Sequence, residues 1–414
     1  MCCAVTRAPY SLPPEIALCG YCLKVSRLVD GLAFDRAILG NLAILVFDQG
    51  RSLLQTGVKI FATLLGLTVA AILGALAFAW SGLGDIAASQ GHWPFVEQFL
   101  DFGMRHAVTQ HASGIEVPKL DDPNMIRLGA AHFHRGCAFC HGAPGIPVNP
   151  IAKHMLPPPP DLAVKMRPWQ PNDLFWIVKN GLKYTGMPGW AAIEREDEIW
   201  AVVAFLTRVQ GLDAEAYRDL ALGNVKLPQQ NGVELATVES NPRASGACAR
   251  CHGDKGQLPL SNLVPILHGQ PADYLLASLK AYAEGKRRSG IMQPLAADLR
   301  EEDMRELAEY YSGLGMPQMT EHADSTDGAS VERGRKLAIE GLPNAGVPPC
   351  ATCHNGVGSY PHLDGQHPAY MARQLRLRKA GLGPSTEAAG IMAPIAQRLS
   401  NEDIDAVSNY FGSQ

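Results

Sequence analysis

Three copies of the pattern Cys-x-x-Cys-His constrain this chain more than any other feature in it. They are Cys137-Ala-Phe-Cys140-His141, Cys248-Ala-Arg-Cys251-His252 and Cys350-Ala-Thr-Cys353-His354. Two thiols three positions apart can each add to one vinyl group of a single haem, and the adjacent imidazole then reaches the iron from that face of the ring. A zinc site would want a second cysteine pair or paired histidines at finger spacing, and none follows. A thioredoxin-like pair would not carry a histidine after its second cysteine three times over. The pattern therefore predicts three covalently bound haem c groups, with iron held by His141, His252 and His354.

The sixth position on each iron calls for a second ligand. Downstream of each motif stands a methionine close to a proline: Met187 in Thr-Gly-Met-Pro-Gly-Trp, Met292 in Ser-Gly-Ile-Met-Gln-Pro and Met392 in Ala-Gly-Ile-Met-Ala-Pro. A thioether is a soft ligand that raises the reduction potential. The surrounding Gly and Pro predict a loop rather than a helix at each of them. The alternative is that these methionines pack as core residues against an apolar ring. Met155, Met166 and Met316 are competing ligands, and His132, His134, His268, His362 and His367 would serve in a bis-histidine arrangement. Pro144 and Pro147 offer backbone carbonyls to the ring of His141.

The motifs are preceded by Ile60 to Trp80, 21 residues without a charge, long enough to cross a bilayer as a helix. Arg51 and Lys59 lie before this run and Asp85 after it, so the basic side stays in the cytoplasm and the rest is exported. Export agrees with the haem reading, because attachment needs reduced thiols outside the cytoplasm. The run reads as an anchor, with a signal cleaved near Ala77-Phe78-Ala79 as the alternative. Residues 1–58 read as a leader of doubtful structure, and a true start of translation near Val58 is one explanation. Ala37 to Phe47 is too short to span, and Cys19-Gly-Tyr-Cys22 lacks the following histidine. With net charge −4 and no basic stripe, nucleic acid is not an expected partner.

The last two motif regions repeat each other. Leu267-His-Gly-Gln270 with Tyr274 matches Leu363-Asp-Gly-Gln366 with Tyr370, and Ile291-Met-Gln-Pro294 matches Ile391-Met-Ala-Pro394. Each repeat ends in an amphipathic helix, with Met304, Leu307 and Tyr311 on one stripe and Ile404, Val407 and Phe411 on the other. Ser400 with Asp403 predicts a helix start. Ile199, Val202, Val203 and Leu206 form a similar stripe after the first motif. Helices are also expected before the motifs, clearest over Met125–Phe133 and Val331–Ile339. Linkers are expected near 213–240 and 315–328.

A helix, the Cys-x-x-Cys-His motif, a loop with methionine and a C-terminal helix together resemble the class I cytochrome c domain, three times over, across residues 121–414. Residues 240–414 resemble more specifically the tandem two-haem cytochromes of the cytochrome c-four type, through the Gly-Gln…Tyr element and the Glu-Asp…Tyr ending. By that resemblance His141, His252 and His354 are proximal ligands, and Met187, Met292 and Met392 distal ones. The three-haem count also resembles the cytochrome subunits of membrane-bound alcohol and gluconate dehydrogenases. Gly84–Leu120, with His92-Trp93-Pro94, fits no part of the class I pattern and would brace the first domain or dock a partner.

The expected architecture is mainly α, with three cytochrome c domains in tandem after one N-terminal transmembrane helix. The plan is a leader (1–58), an anchor (59–80), a pre-domain segment (81–120) and domains over 121–212, 240–314 and 329–414. The expected function is electron relay at the bacterial inner membrane, with the haem domains in the periplasm. Electrons would pass from a dehydrogenase or quinol-oxidising complex to an oxidase or soluble carrier of a respiratory chain. An electron-transfer subunit of one particular dehydrogenase is the second reading, and a haem peroxidase the third. The denatured polypeptide is expected to weigh three haems more than its amino-acid sequence; an intact-mass measurement without that increment would remove the basis of every one of these readings.

Overall fold

An uncharged run of the length of Ile60–Trp80 must satisfy its backbone groups within itself, and a helix does so. In the computed structural model the helix is longer than the run: α1 extends over Arg36–Ser81 and takes in Ala37–Phe47 as well. The part long and apolar enough to cross a membrane is Gln55–Ser81. The helix ends where Ser81 donates its hydroxyl back to the Phe78 carbonyl at 2.7 Å and Gly82 adopts φ +69°. The structure describes residues 36–223, 245–317 and 328–414 except Asp85, Ala88 and Val357, and not the side chains of 36–54, 245–247 and 387–389. Cys19 and Cys22 lie outside the described residues. The chain divides into two units, Met1–Ile86 and Ala87–Gln414.

In the second unit the regular structure among the described residues is helical, with two isolated bridges, Ala143–Ile146 and Leu342–Val347. Helix α2 (Pro94–Ala112) precedes the first motif, and α3 (Pro123–Gly136) leads into it. The motif itself lies on α4 (Ala138–His141), followed by α5 (Pro150–Lys153), α6 (Pro171–Asn180), α7 (Glu196–Leu206) and α8 (Ala214–Leu222). The second motif is carried on α9 (Ser245–His252), before α10 (Ala272–Ala283), α11 (Met292–Ala297) and α12 (Glu301–Ser312). Helix α13 (Gly328–Glu340) precedes the third motif, whose first residues form a 3-10 turn over Cys350–Thr352; α14 (Pro368–Lys379), α15 (Glu387–Arg398) and α16 (Asn401–Gly412) follow.

Two crossings organise this unit. Helix α3 packs on α7, and α13 on α16. At each crossing one helix presents a glycine to a backbone carbonyl of the other. A Cβ on Gly129 would lie 1.9 Å from the Ala201 oxygen, and one on Gly334 would lie 2.0 Å from the Ala406 oxygen. No other residue lets the backbones approach so closely. Around the first crossing Phe133 and Phe205 meet with ring centroids 5.1 Å apart, both buried. The stripes expected from the sequence face inward: Ile199, Val202, Val203 and Leu206 on α7, Met304 and Tyr311 on α12, and Ile404, Val407 and Phe411 on α16 are all buried. Ser400 caps α16 as expected, accepting from the Asp403 N–H at 3.0 Å while the Ser400 N–H donates back to Asp403 at 3.1 Å.

Two expectations change. The stretch read as a linker from 213 begins instead with α8, which packs on α3 and buries Tyr217 completely, its hydroxyl 3.0 Å from His134 Nδ1. Its stripe, Tyr217 with Ala221 and Leu222, spans under two turns, and the packing on α3 is what makes it a core face. The segment before the first motif, read only as outside the class I pattern, is helical: α2 packs on α6, with Val108 and Ala112 buried, His111 stacked on Trp176, and Asn172 donating to the Ala112 carbonyl at 3.0 Å. It braces the helices around the first motif. Replacing Gly334 by Ala is expected to force α13 and α16 apart and to cost about 1–3 kcal/mol, read as a lowered midpoint of urea unfolding; an unchanged midpoint would show that this crossing yields.

Candidate haem sites

A histidine ring can offer one nitrogen to a metal only in the tautomer whose proton sits on the other, and a partner for that proton fixes both tautomer and ring orientation. Each motif histidine has such a partner. Nδ1 of His141 lies 3.0 Å from the Pro160 carbonyl, Nδ1 of His252 lies 3.0 Å from that of Pro265, and Nδ1 of His354 lies 2.9 Å from that of Pro361. A carbonyl only accepts, so Nδ1 carries the proton and donates, and Nε2 keeps its lone pair. Burial pushes the pKa of all three rings below the usual histidine value, partly offset by these carbonyls. The acceptor in the first site is thus Pro160, not Pro144 or Pro147. The three prolines follow their histidines at 19, 13 and 7 residues, so no single spacing marks them in the sequence.

None of the six motif cysteines is paired in a disulfide. Burial, and then the neighbouring Cys140, pushes Cys137 up to about 12; burial and Cys251 push Cys248 to about 11, and burial raises Cys350 to about 11. Neutral, reduced thiols are the form from which thioether bonds to vinyl groups are made.

The second and third motifs open onto one cavity of about 900 Å³. Cys248, Cys251, His252 and Met292 line it from one repeat, and Cys350, Cys353, His354 and Met392 from the other. The structure therefore brings each expected methionine to the same space as its histidine in these two repeats. Cys137, Cys140, His141 and Met187 are not among its lining residues. Met187 lies in a loop, as its Gly and Pro neighbours predict: Thr185 Oγ1 accepts from the Met187 N–H at 3.0 Å, and Gly181 (φ +66°) leaves room for the Met187–Gly189 backbone. Met155 Sδ reaches the same loop, against Gly186.

The loop expectation fails for the other two methionines. Met292 begins α11, and Met392 lies within α15 with Pro394 inside the helix. Pro294 stands in the first turn of α11, where its missing N–H is one that the helix leaves unpaired in any case. The competing histidines are engaged differently: His268 Nε2 lies 2.9 Å from the Asp254 carbonyl, and the His132 ring lies against Trp190, with burial and Arg250 lowering its pKa to about 4.

The cavity also holds charge that asks for a partner. Arg287 and Arg378 line it, both largely buried. Arg287 donates to Ser278 Oγ at 3.1 Å and Tyr370 Oη at 3.2 Å; Arg378 donates to the Gln374 carbonyl at 3.0 Å, and its Nε has no hydrogen-bond partner. Burial and then the neighbouring Arg287 lower the pKa of Arg378. Buried cations without carboxylates are costly, and the two propionates of a haem are anions of the kind these guanidinium groups would bind. Thiol pairs, oriented imidazoles, methionines lining the same cavity and arginines bonded to neutral groups all fit that group.

A second polar cluster seats the residues before Met292, and nothing in the sequence singled it out. Glu198, buried on α7, accepts from Ser289 Oγ at 2.6 Å and from the Gly290 N–H at 2.7 Å, while Ser289 Oγ accepts from the Met292 N–H at 3.0 Å. Arg195 bridges Glu198 and Asp197, each at 2.9 Å, and donates to the Arg288 carbonyl. Burial raises the pKa of Glu198, against the pull of Arg195. Trp190 lies directly on Gly290, whose Cβ, if it had one, would be 2.0 Å from Trp190 Nε1. The loop after Met187 thus abuts the turn before Met292.

An N-terminal helix crossing a C-terminal one at a glycine, with Cys-x-x-Cys-His between them and its ring held by a proline carbonyl, is the arrangement of a c-type cytochrome. The family model for subunit III of cbb3-type cytochrome c oxidase matches residues 124–206. Cytochrome c4 of Pseudomonas aeruginosa is 35% identical over 173 residues, 40% of this chain and 83% of that protein. A thiosulfate dehydrogenase electron acceptor of Thiomonas intermedia is 33% identical over 187 residues, 43% of this chain and 83% of that protein. The crystal structure of reduced recombinant cytochrome c4 from Pseudomonas stutzeri covers 40% of this chain and 93% of its own at 32% identity, with a TM-score of 0.37. The chain belongs to the c-type cytochromes and, over part of its length, to the cytochrome c4 family, which carries covalently bound haem c.

Removing Arg195 would leave Glu198 a buried anion without its cation, while the partly buried Asp197 keeps Arg373 at 3.3 Å. Arg195→Met is expected to cost about 3–5 kcal/mol in urea unfolding. Glu198→Gln, which keeps an oxygen for Ser289 and Gly290, is expected to cost distinctly less; equal losses would contradict the pairing described.

Proposed function

We propose that this chain is a membrane-anchored periplasmic electron carrier with three haem c groups, relaying electrons from a dehydrogenase or quinol-oxidising complex to an oxidase or soluble carrier. The observation that carries the reading is the repeated pair of a motif histidine and a proline carbonyl, which leaves Nε2 of His141, His252 and His354 directed to bind iron. Cys137 with Cys140, Cys248 with Cys251 and Cys350 with Cys353 hold the three rings. Met187, Met292 and Met392 close the distal faces. Bound haem supplies an iron that gains and loses one electron. Held by a histidine and a methionine of this chain, such an iron would exchange electrons without binding substrate.

The three cytochrome c domains occupy 121–212, 240–314 and 329–414 in this reading, with α8 extending the first. Three sites in one chain form a conduit longer than a single domain. The contact of Trp190 with Gly290 supports passage between the first and second sites, and the shared cavity supports passage between the second and third. The apolar part of α1 anchors the chain, and the bacterial inner membrane with export of the motifs follows from Lys59 before the run and Asp85 after it.

A second reading is favoured by the relatives named as electron acceptors of thiosulfate dehydrogenase: the chain serves one particular periplasmic dehydrogenase as its acceptor. Co-purification with a large catalytic subunit separates the two readings. The test of the common core is a potentiometric titration of the purified protein with haem quantified per chain. Three one-electron waves are expected, and carbon monoxide should leave the reduced spectrum unchanged. Met292→Ala is expected to open one site of the three to carbon monoxide. Binding of carbon monoxide by the unaltered protein would point instead to an open iron and a peroxidase-like chemistry.

A further inference from the structure

The proline carbonyls that hold His252 and His354 lie on irregular chain, so something else must hold the prolines. The residue after each proline shows what does. Ile266, next to Pro265, donates its N–H to Gln366 Oε1 at 2.9 Å, and its carbonyl accepts from Gln366 Nε2 at 3.0 Å. His362, next to Pro361, donates its N–H to Gln270 Oε1 at 3.0 Å, and its carbonyl accepts from Gln270 Nε2 at 2.9 Å. Each glutamine amide thus clasps both backbone groups of one residue, and that residue belongs to the other repeat. Both glutamines are 5% exposed. Each is anchored at home by the glycine before it: the Gly269 N–H donates to the Tyr311 carbonyl at 3.1 Å, and the Gly365 N–H to the Phe411 carbonyl at 2.9 Å. Both glycines adopt positive φ, +68° and +71°.

We infer that Gln366 and Gln270 are positioning residues acting crosswise: Gln366 sets the hydrogen bond on the proximal histidine of the second site, and Gln270 that of the third. This rests on the assignment of His252 and His354 as iron ligands. The Nδ1–H···O=C bond places partial negative charge on the ring, which favours the ferric state and lowers the potential. Gln366 holds the Pro265–Ile266 peptide at the distance where that bond is 3.0 Å. Without the clasp, Ile266, which is 1% exposed, keeps two buried backbone groups unpaired. The strand of chain then shifts to satisfy them, and the ring loses its acceptor. The third site depends on Gln270 in the same way. The potential of each site is therefore set partly by whether the two repeats are docked.

The test is spectroelectrochemical titration of the full-length protein carrying Gln366→Leu or Gln270→Leu. Met292→His and Met392→His, each changing a distal ligand, identify the wave of the second and of the third site. Gln366→Leu is expected to raise the potential of the wave marked by Met292→His by about tenfold in the redox equilibrium, about 59 mV for one electron. Gln270→Leu is expected to do the same to the wave marked by Met392→His. Exchange of the histidine ring N–H, followed by NMR in the reduced protein, should quicken at the same site, a change that loosened packing elsewhere would not confine to it. If one variant does not fold, the other carries the test alone. Waves that stay in place with haem present, or a shift at the glutamine's own repeat, would overturn the crosswise role only. A mass lacking haem at the second or third motif would overturn the ligand assignment and this inference with it.

Discussion

An imidazole held at one nitrogen is the element on which the rest of the molecule converges. His141, His252 and His354 each give Nδ1 to a proline carbonyl, and what remains for a metal is a single, oriented lone pair. Proline suits this role because it brings no N–H of its own to compete for a neighbouring acceptor, and its fixed φ stiffens the chain that carries the carbonyl. The connections from histidine to proline differ greatly in length, yet they end in the same bond within 0.1 Å of one another. Loop length can vary at little cost as long as the two ends meet. The helix crossings at Gly129 and Gly334 hold the frame on which those ends are placed.

Charge is buried where the motif regions meet. Glu198 and Arg195, both on or beside α7, reach Ser289, Gly290 and the Arg288 carbonyl, and Asp197 also meets Arg373 at 3.3 Å. Contacts of this kind are directional. A sliding apolar face would tolerate several registers, whereas a carboxylate accepting two hydrogen bonds tolerates one. The Arg287 and Arg378 pair is of the opposite kind: two cations on one cavity that, among the described residues, donate to a hydroxyl, a phenol and a carbonyl rather than to a carboxylate. That imbalance belongs to a protein whose counter-charge arrives with a prosthetic group.

Much of the local structure was legible in the chain. The helix start at Ser400 and Asp403 and the buried stripes of α7, α12 and α16 follow from spacing and from the chemistry of single residue types. The placing of Met292 and Met392 on helices was not legible: Pro294 stands in a first helical turn, which looks like a turn proline from composition, and Pro394 stands inside a helix, where proline argues against one. Helix α8 was hidden for a different reason: Tyr217 is a core residue only because α3 lies over it. Pro160, Pro265 and Pro361 escaped because nothing in a sequence of 30 prolines distinguishes the one whose carbonyl faces a ring.

The sequence by itself determined the chemistry: which thiols pair, which imidazole adjoins them, and which run is apolar enough for a membrane. These depend on neighbours within a few positions, where chain geometry leaves little choice. Only the tertiary structure decided which carbonyl completes each histidine and that Gln366 and Gln270 clasp the opposite repeat, across separations of 100 and 92 residues. Such pairs form because the two repeats dock in one register, and that register is the outcome of packing summed over many residues rather than of any short pattern.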